Sequence, residues 1–258
     1  MGKIIQIGSA KGGVAKSTTT YNLAYVLAKH GMKVLAVDLD PQSNLTTCFG
    51  VEDTMAVPVT IGHLMMAVIE DEELPNAEEY IMSRNGVDFI PASMMLSAVD
   101  AKLRMEMGSE KMLSEVLEPL RDRYDVILID TSPSLSSLNI NAIAAADEVI
   151  ITVNPQLLAM MGLQDYLKTV TKIKNRINPK VNVAGILLTM CEARTNLCKT
   201  VTEQVVETFE GQVRVFKTRI PFTVKVGESI YYSMPLMEYS PKCNAAIAYE
   251  KFGRELIS

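Results

Sequence analysis

The sequence lacks any long hydrophobic run, and this absence limits where the protein can work. No apolar stretch reaches the ~18 residues that a membrane-spanning helix needs. The first strand-like run begins at Ile4, so we expect no signal peptide. No basic amphipathic segment follows Leu256, which disfavours binding to a membrane surface. We therefore expect a cytoplasmic protein without a membrane partner.

Cysteine is scarce and shows no metal-binding spacing. The four cysteines are Cys48, Cys191, Cys198 and Cys243, and no two of them form a C-x-x-C pair. Scattered cysteines of this kind indicate reduced and mostly buried thiols rather than a disulfide framework or a metal site.

A general excess of basic charge is also absent, because the 258 residues carry a net charge of −5. The two parts of the chain nevertheless differ. Residues 1–150 hold 11 basic and 21 acidic residues, a net charge of −10, whereas residues 151–258 hold 14 and 9, a net charge of +5. This asymmetry indicates a face suited to a polyanion such as DNA, and ordinary surface variation is the alternative.

Short β-branched runs alternate with helical segments along the chain. The strand-like runs are Ile4–Ile7, Val34–Val37, Val87–Ile90, Val126–Ile129, Val149–Val153, Val183–Leu188 and Val213–Phe216. The helical segments are Ser17–His30, Met94–Glu106, Glu110–Arg121, Ser136–Ala145, Gly162–Arg176, Asn196–Phe209 and Cys243–Leu256. The alternation predicts an α/β fold whose doubly wound, mostly parallel sheet is flanked by helices.

Nothing in the sequence divides the chain, so we predict a single domain over residues 1–258. Residues 50–80 are the least regular part, with two prolines and the acidic run Glu70–Glu73. We predict a surface excursion there, with one short helix around Ile61–Ile69.

One segment has the layout of a phosphate-binding loop, because a strand and a glycine-bearing turn precede the start of a helix. It reads Lys11-Gly12-Gly13-Val14-Ala15-Lys16-Ser17-Thr18. Backbone N–H groups in such a turn converge on an anion, and the helix N-terminus adds its partial positive charge. The pattern predicts that Lys16 reaches the β- and γ-phosphates of a nucleotide and that Ser17 binds Mg²⁺.

Two further strands end in carboxylates. Asp38 and Asp40 follow the run Val34–Val37, and Asp130 follows Val126–Ile129. Ligands bind at the carboxyl ends of the strands in a doubly wound sheet. Asp40 can orient an attacking water or hold the shell of a metal, and Asp130 can complete a Mg²⁺ shell. A capping or turn-forming role is the alternative for both Asp38 and Asp40.

Together these motifs resemble the ParA/Soj group of deviant Walker-A ATPases, which are relatives of MinD and the nitrogenase iron protein. The resembling segments cover nearly the whole chain: Lys11–Thr19, Asp38–Gln42, Asp125–Pro133, Thr189–Leu197, Tyr239–Lys242 and Ala248-Tyr249. The resemblance implies a P-loop NTPase fold, ATP and Mg²⁺ as cofactors, and slow hydrolysis of ATP to ADP and phosphate.

The resemblance also implies roles for single residues in catalysis. Lys11 resembles the signature lysine, which reaches across an ATP-dependent homodimer to the partner's phosphates. A solvated loop lysine is the alternative. Lys16 and Ser17 match the phosphate lysine and the metal-binding hydroxyl. Asp40 matches the acid that positions the hydrolytic water and contributes to the metal site. Asp130 matches the Walker-B acid.

Further matches concern the nucleotide and DNA. The implied nucleotide-binding residues are Lys11, Gly12, Gly13, Val14, Ala15, Lys16, Ser17 and Thr18, together with Met190 and Pro221 against the adenine. Lys225 and Arg194 match basic positions that the family uses on DNA. Arg219 is the third implied DNA-binding residue, since it can supply charge where relatives often have an arginine and this chain has Phe222.

Ala15 stands where the family's loop has glycine. Glycine serves where the backbone adopts a positive φ or approaches a phosphate closely. We therefore expect the chain to bind ATP and to turn it over slowly.

The resemblance implies a DNA-partitioning switch, in which an ATP-bound dimer binds nonspecific DNA on the nucleoid and a ParB-like centromere-binding partner stimulates hydrolysis. One alternative is a related ATPase that positions protein cargo or a membrane complex. Another is a metabolic enzyme on the same scaffold, such as an ATP-dependent carboxylate-activating ligase. The cysteines do not match the cluster ligands of a nitrogenase-type reductase.

Overall fold

Over residues 1–133, 136–156, 159–192 and 194–257, the computed structural model has eight strands and twelve α-helices. The strands are β1 (Lys3–Gly8), β2 (Val34–Leu39), β3 (Met82–Arg84), β4 (Val87–Ile90), β5 (Val126–Thr131), β6 (Glu148–Val153), β7 (Asn182–Cys191) and β8 (Val215–Pro221). The helices are α1 (Lys16–Lys29), α2 (Asn44–Cys48), α3 (Ile61–Ile69), α4 (Ala77–Tyr80), α5 (Met95–Leu103), α6 (Met112–Leu117), α7 (Ser137–Ala145), α8 (Ala159–Arg176), α9 (Asn196–Phe209), α10 (Val224–Tyr231), α11 (Leu236–Tyr239) and α12 (Asn244–Ile257).

All eight strands belong to one sheet, in the order β3-β4-β2-β5-β1-β6-β7-β8. Only the short hairpin strand β3 runs antiparallel to its neighbour. After β1 the chain forms β2, β3 and β4 on one side and then returns to place β5 between β2 and β1. It continues with β6, β7 and β8 on the other side, so the strand order reverses beside β1. The predicted doubly wound, mostly parallel sheet is confirmed.

Alternation along the buried strands divides the core into two layers. Ile4 and Leu35 face a layer that includes α3, α5, α8 and α9. Their neighbours Ile5 and Ala36 face the other layer, where α1, α2 and α12 pack. Because successive side chains point to opposite faces, a strand covered on both faces is hydrophobic without alternation.

The region predicted as a surface excursion contributes to the core instead. α3 has the predicted bounds, Ile61–Ile69, but Ile61, Leu64 and Met65 are fully buried. Its apolar face covers the sheet beside α5 and α6. The prolines and acidic residues that suggested an excursion flank this helix.

The last strand differs most from its prediction. The expected run Val213–Phe216 becomes Val215–Pro221, five residues longer at its carboxyl end. Its pairing with β7 shifts between the partners of Ile186 and Leu188. At this irregularity Glu255 of α12 accepts the backbone N–H groups of Lys217 and Thr218, at 2.7 and 2.9 Å.

The thiols follow their prediction, because Cys48, Cys191 and Cys198 are buried. Within the described ranges, the helices include none that is both long and apolar enough to cross a bilayer.

Candidate active site

The loop between β1 and α1 ends in a helix N-terminus without a cap. Its N-cap residue, Ala15, makes no side-chain hydrogen bond, and the first turn of α1 contains no acidic residue. The first N–H groups of a helix have no partner within the helix and carry partial positive charge. This end of α1 therefore fits an anion such as phosphate.

The loop reaches this helix through left-handed backbone. Gly13 has a φ of 67° and Ala15 a φ of 58°. A left-handed conformation costs a residue with a Cβ about 1–2 kcal/mol. The alanine at residue 15 therefore leaves strain in the loop.

The two lysines of the loop occupy different surroundings. Lys16 is buried, and its Nζ donates to the carbonyl oxygen of Lys11 at 3.4 Å. Burial lowers the pKa of Lys16, while the charges of Asp130 and Asp40 oppose that shift. The side chain of Lys11 instead lies along Gly162 of α8.

Asp38 organises the turn after β2. One oxygen accepts the backbone N–H and the hydroxyl of Thr46, at 2.8 and 2.7 Å, and the other accepts the N–H of Asp40 at 3.1 Å. The Thr46 Oγ1 in turn accepts the N–H of Ala92 at 2.9 Å. Burial raises the pKa of Asp38 to about 6, and its hydrogen bonds moderate this rise. These hydrogen bonds correspond to the turn-forming role, which the sequence analysis gave as the alternative for Asp38.

Asp130 is the least compensated charge in the site. It lies opposite Asp38 in the pairing of β2 with β5 and is fully buried. Burial, reinforced by the charge of Asp38, raises the pKa of Asp130 well above its ordinary value. Ser17 and Lys16 lower it in part. Neither carboxyl oxygen has a hydrogen-bond partner of good geometry among the described residues.

An open cavity of about 860 Å³ connects these elements. The described residues that line it on the loop side are Gly12, Gly13, Val14, Ala15, Lys16, Ser17 and Thr18. Asp40 lines it too, with its Oδ1 accepting the N–H of Gln42 at 2.9 Å. The opposite wall includes Asp100 of α5 and Arg104, the residue that follows this helix. These two residues form an ion pair, and the sequence did not single them out.

A second cavity, of about 790 Å³, lies beside the edge strand β8. We call it the basic groove. Its charged lining residues are Lys199, Lys217, Arg219 and Lys251, and none of the other described residues lining it is acidic. Lys217 and Arg219 are two residues apart on a strand and therefore share a side, a signal that was available in the sequence.

The remaining predicted binding residues lie near that edge. Pro221 lines the basic groove, and Met190 is half-buried at the end of the neighbouring strand, with a φ of 53°. Arg194 is exposed between β7 and α9. Lys225 forms an ion pair with Glu228 at 2.7 Å, so part of its charge is already neutralised.

The start of α1 and the buried Asp130 together define a site for an anion and a cation. The uncapped helix N-terminus after a glycine-bearing loop suits a phosphate group. The buried Asp130 carboxylate, which lacks a hydrogen bond of good geometry among the described residues, suits a cation beside it. The residues present therefore fit a nucleotide with its magnesium ion.

Comparisons with known proteins agree with a site of this kind. A family model described as an AAA domain matches residues 2–183. The sporulation initiation inhibitor protein Soj of Bacillus subtilis is 36% identical over 99% of this chain and 98% of its own. The chromosome-partitioning ATPase Soj of Treponema pallidum is 35% identical over 100% and 98%.

A solved structure extends the agreement to three dimensions. Cobyrinic acid a,c-diamide synthase from Mycobacterium smegmatis, with bound ATP analogue and magnesium, matches with a TM-score of 0.84 at 29% identity. The match covers 100% of this chain and 95% of that one. The chain belongs to the ParA/MinD superfamily of P-loop ATPases, with ATP and Mg²⁺ as its cofactors.

The strained residue in the loop gives a first prediction. Ala15→Gly removes the Cβ from a left-handed position, so we expect the free energy of unfolding to rise by about 0.5–1 kcal/mol. Urea denaturation without ligands measures it. Ala28→Gly makes the same chemical change inside α1 and should lower stability by a similar amount. A loss of stability in Ala15→Gly would contradict the assigned strain.

The buried carboxylate gives a second prediction. Asp130 has a raised pKa in the folded state, so the ligand-free protein loses stability as pH rises from the unfolded pKa through the folded one. Asp130→Asn does not titrate. We expect its stability relative to wild type to increase by on the order of 2 kcal/mol between pH 4 and pH 8.

Urea denaturation without nucleotide or magnesium, at both pH values, tests this expectation. A relative stability that is constant with pH, or that falls as pH rises, would show that Asp130 is not a destabilising charge in the free protein.

Proposed function

We propose that this ATPase is a DNA-partitioning switch of the ParA type. ATP binding assembles a homodimer, the dimer binds nonspecific DNA on the nucleoid, and a ParB-like centromere-binding partner stimulates hydrolysis. The basic groove carries the DNA part of the proposal, because it concentrates four cationic side chains on a protein of net negative charge. The chromosome-partitioning relative supports it over the full length of the chain.

The residues of the cavity take the following roles in this proposal. Lys16 and the N–H groups at the start of α1 hold the phosphates. Ser17 and Asp130 would hold the magnesium ion, which neutralises phosphate charge when bound. Asp40, at the cavity wall, orients the attacking water and contributes to the ligand shell of the magnesium ion. Met190 and Pro221 pack against the adenine.

Lys11 acts on the nucleotide of the partner subunit. Its side chain lies along α8, and it is not among the residues that line the phosphate cavity of its own chain. A lysine in this position is available to a triphosphate that is bound by another copy of the chain. Loss of the γ-phosphate would remove the contact, so the dimer and the monomer become the two states of the switch.

DNA binding of this kind depends on phosphate contacts and needs no base reading. The resulting affinity is independent of sequence and falls steeply with salt. Two protomers double the basic surface, which makes DNA affinity depend on dimerisation and hence on ATP. Arg219 shares the groove with three lysines, whereas Lys225 is paired with Glu228, so Arg219 contributes more.

The structural similarity to cobyrinic acid a,c-diamide synthase favours one second candidate, a ligase that uses ATP to activate a carboxylate. That function needs no cross-subunit lysine and no affinity for DNA. The two predictions below therefore distinguish it from a partitioning switch.

The role of Lys11 gives a third prediction. With a non-hydrolysable ATP analogue and magnesium, we expect wild type to dimerise and Lys11→Ala to lose affinity for its partner by about 10- to 100-fold, the loss of one charged contact. Light scattering after size exclusion measures the dimer, and analogue binding to the variant should persist. Lys29→Ala, at the far end of α1, is the matched control and should dimerise normally. A wild type that stays monomeric, or a Lys11→Ala variant that dimerises like wild type, contradicts the proposal.

The basic groove gives a fourth prediction. We expect random-sequence duplex DNA to bind with ATP and not with ADP, and the double charge reversal Lys217→Glu and Lys251→Glu to weaken binding by at least about tenfold at 0.1 M salt. Fluorescence anisotropy measures the affinity, and ATP binding should persist in the variant. Lys168→Glu, on α8 beside Asp165, is the control. Equal DNA binding with both nucleotides would refute the coupling, and unchanged binding by the groove variant would refute the surface.

A further inference from the structure

A buried polar network crosses the core directly behind the active site. Gln6 of β1 and Tyr166 of α8 are both fully buried. The Gln6 Nε2 donates to the Tyr166 hydroxyl at 2.7 Å, and that hydroxyl donates to Asn139 Oδ1 at 3.0 Å. The Gln6 Nε2 also lies 3.2 Å from both Asn139 Oδ1 and Thr131 Oγ1.

One side of this network reaches the segment that follows Asp130. Thr131 is the next residue, and Asn139 Nδ2 donates to the carbonyl oxygen of Ser132 at 3.4 Å. The backbone N–H of Asn139 donates to the Oγ of Ser136, also at 3.4 Å. Ser132 and Ser136 both line the phosphate cavity. Asn139 therefore connects the buried network to the wall of the active site.

The other side reaches the phosphate-binding loop. A Cβ at Gly8 would overlap the Tyr166 hydroxyl, so the tyrosine fills the space that this glycine leaves. One helical turn earlier, Gly162 packs against Ala10 and the side chain of Lys11. Residues four apart share a helix face. A single face of α8 thus supports both the start of the loop and its first lysine.

The network is costly for a purely structural element. Gln6 Oε1 is buried and has no hydrogen-bond partner among the described residues. An unsatisfied polar atom in the core destabilises the folded state, and an apolar pair would fill the same place without that cost. Burial also raises the pKa of the Tyr166 hydroxyl, which keeps it protonated as a donor.

We propose that Tyr166 is a positioning residue for ATP hydrolysis, whose hydroxyl fixes the cavity wall after Asp130 relative to the loop that begins at Gly8. The inference rests on the ATPase activity alone and not on DNA binding or dimerisation. Tyr166 is not among the described residues that line the phosphate cavity, so its effect passes through Gln6 and Asn139. Small displacements of a catalytic wall lower turnover more than they lower binding.

Steady-state ATP hydrolysis by Tyr166→Phe tests this role, because the substitution removes only the hydroxyl. We expect kcat to fall by about tenfold, with KM for ATP and the affinity for ADP within about twofold of wild type. Tyr21→Phe is the matched control, since Tyr21 is equally buried and its hydroxyl accepts from Asn85 at 3.2 Å, on the opposite face of the sheet. Its kcat should equal that of wild type, although thermal denaturation should show a lowered Tm in both variants.

A double-mutant cycle with Gln6→Leu completes the test. If the network acts as a unit, Gln6→Leu lowers kcat as Tyr166→Phe does, and the double variant loses no more than either single variant. An unchanged kcat in Tyr166→Phe would overturn the proposal. So would an equal loss in Tyr21→Phe, a loss confined to KM, or losses that multiply in the double variant.

Discussion

Opposite charges are buried at the carboxyl edge of the sheet without fully compensating each other, and the site depends on this arrangement. Neither carboxyl oxygen of Asp130 has a hydrogen bond of good geometry among the described residues. Lys16 donates to a backbone carbonyl oxygen, and the start of α1 has no cap. Buried charges without partners destabilise a folded protein. A phosphate group and a divalent cation supply the missing partners, so ligand binding and folding stability are linked in this ATPase.

The phosphate-binding loop is attached to its surroundings on two sides. Thr189 of β7 donates its hydroxyl proton to the carbonyl oxygen of Val14 at 3.0 Å. On the other side, Gly12 lies beside Pro133 in the segment after β5. The nucleotide site thus contacts both the strand that leads to the basic groove and the wall that leads to α7.

The sequence predicted the parts of the molecule that depend on local pattern. The phosphate-binding loop, the seven parallel strands and α3 follow from glycine placement and hydrophobic runs, and all are present. Five short elements were missed, because three to eight residues give too little periodicity and tertiary packing decides them. They are β3, α2, α4, α10 and α11. The carboxyl half of β8 was missed because Lys217 and Arg219 interrupt its apolar pattern.

The sequence predicted candidate site residues but not their environment. The motifs identified Lys16, Asp40 and Asp130, whereas the structural role of Asp38 depends on Thr46, eight residues away in a helix that the pattern did not reveal. The basic groove and the Gln6–Tyr166 network join residues of high sequence separation, which one sequence cannot bring together.

The irregularity in β8 has a consequence for how copies of the chain can associate. A regular strand at the border of a sheet offers its peptide groups to any extended chain and invites fibrous stacking. Here the carboxylate of Glu255 engages two consecutive amides of the strand, and the local shift in pairing breaks the repeat that a foreign strand would need. The border is thereby closed to continuation of the sheet.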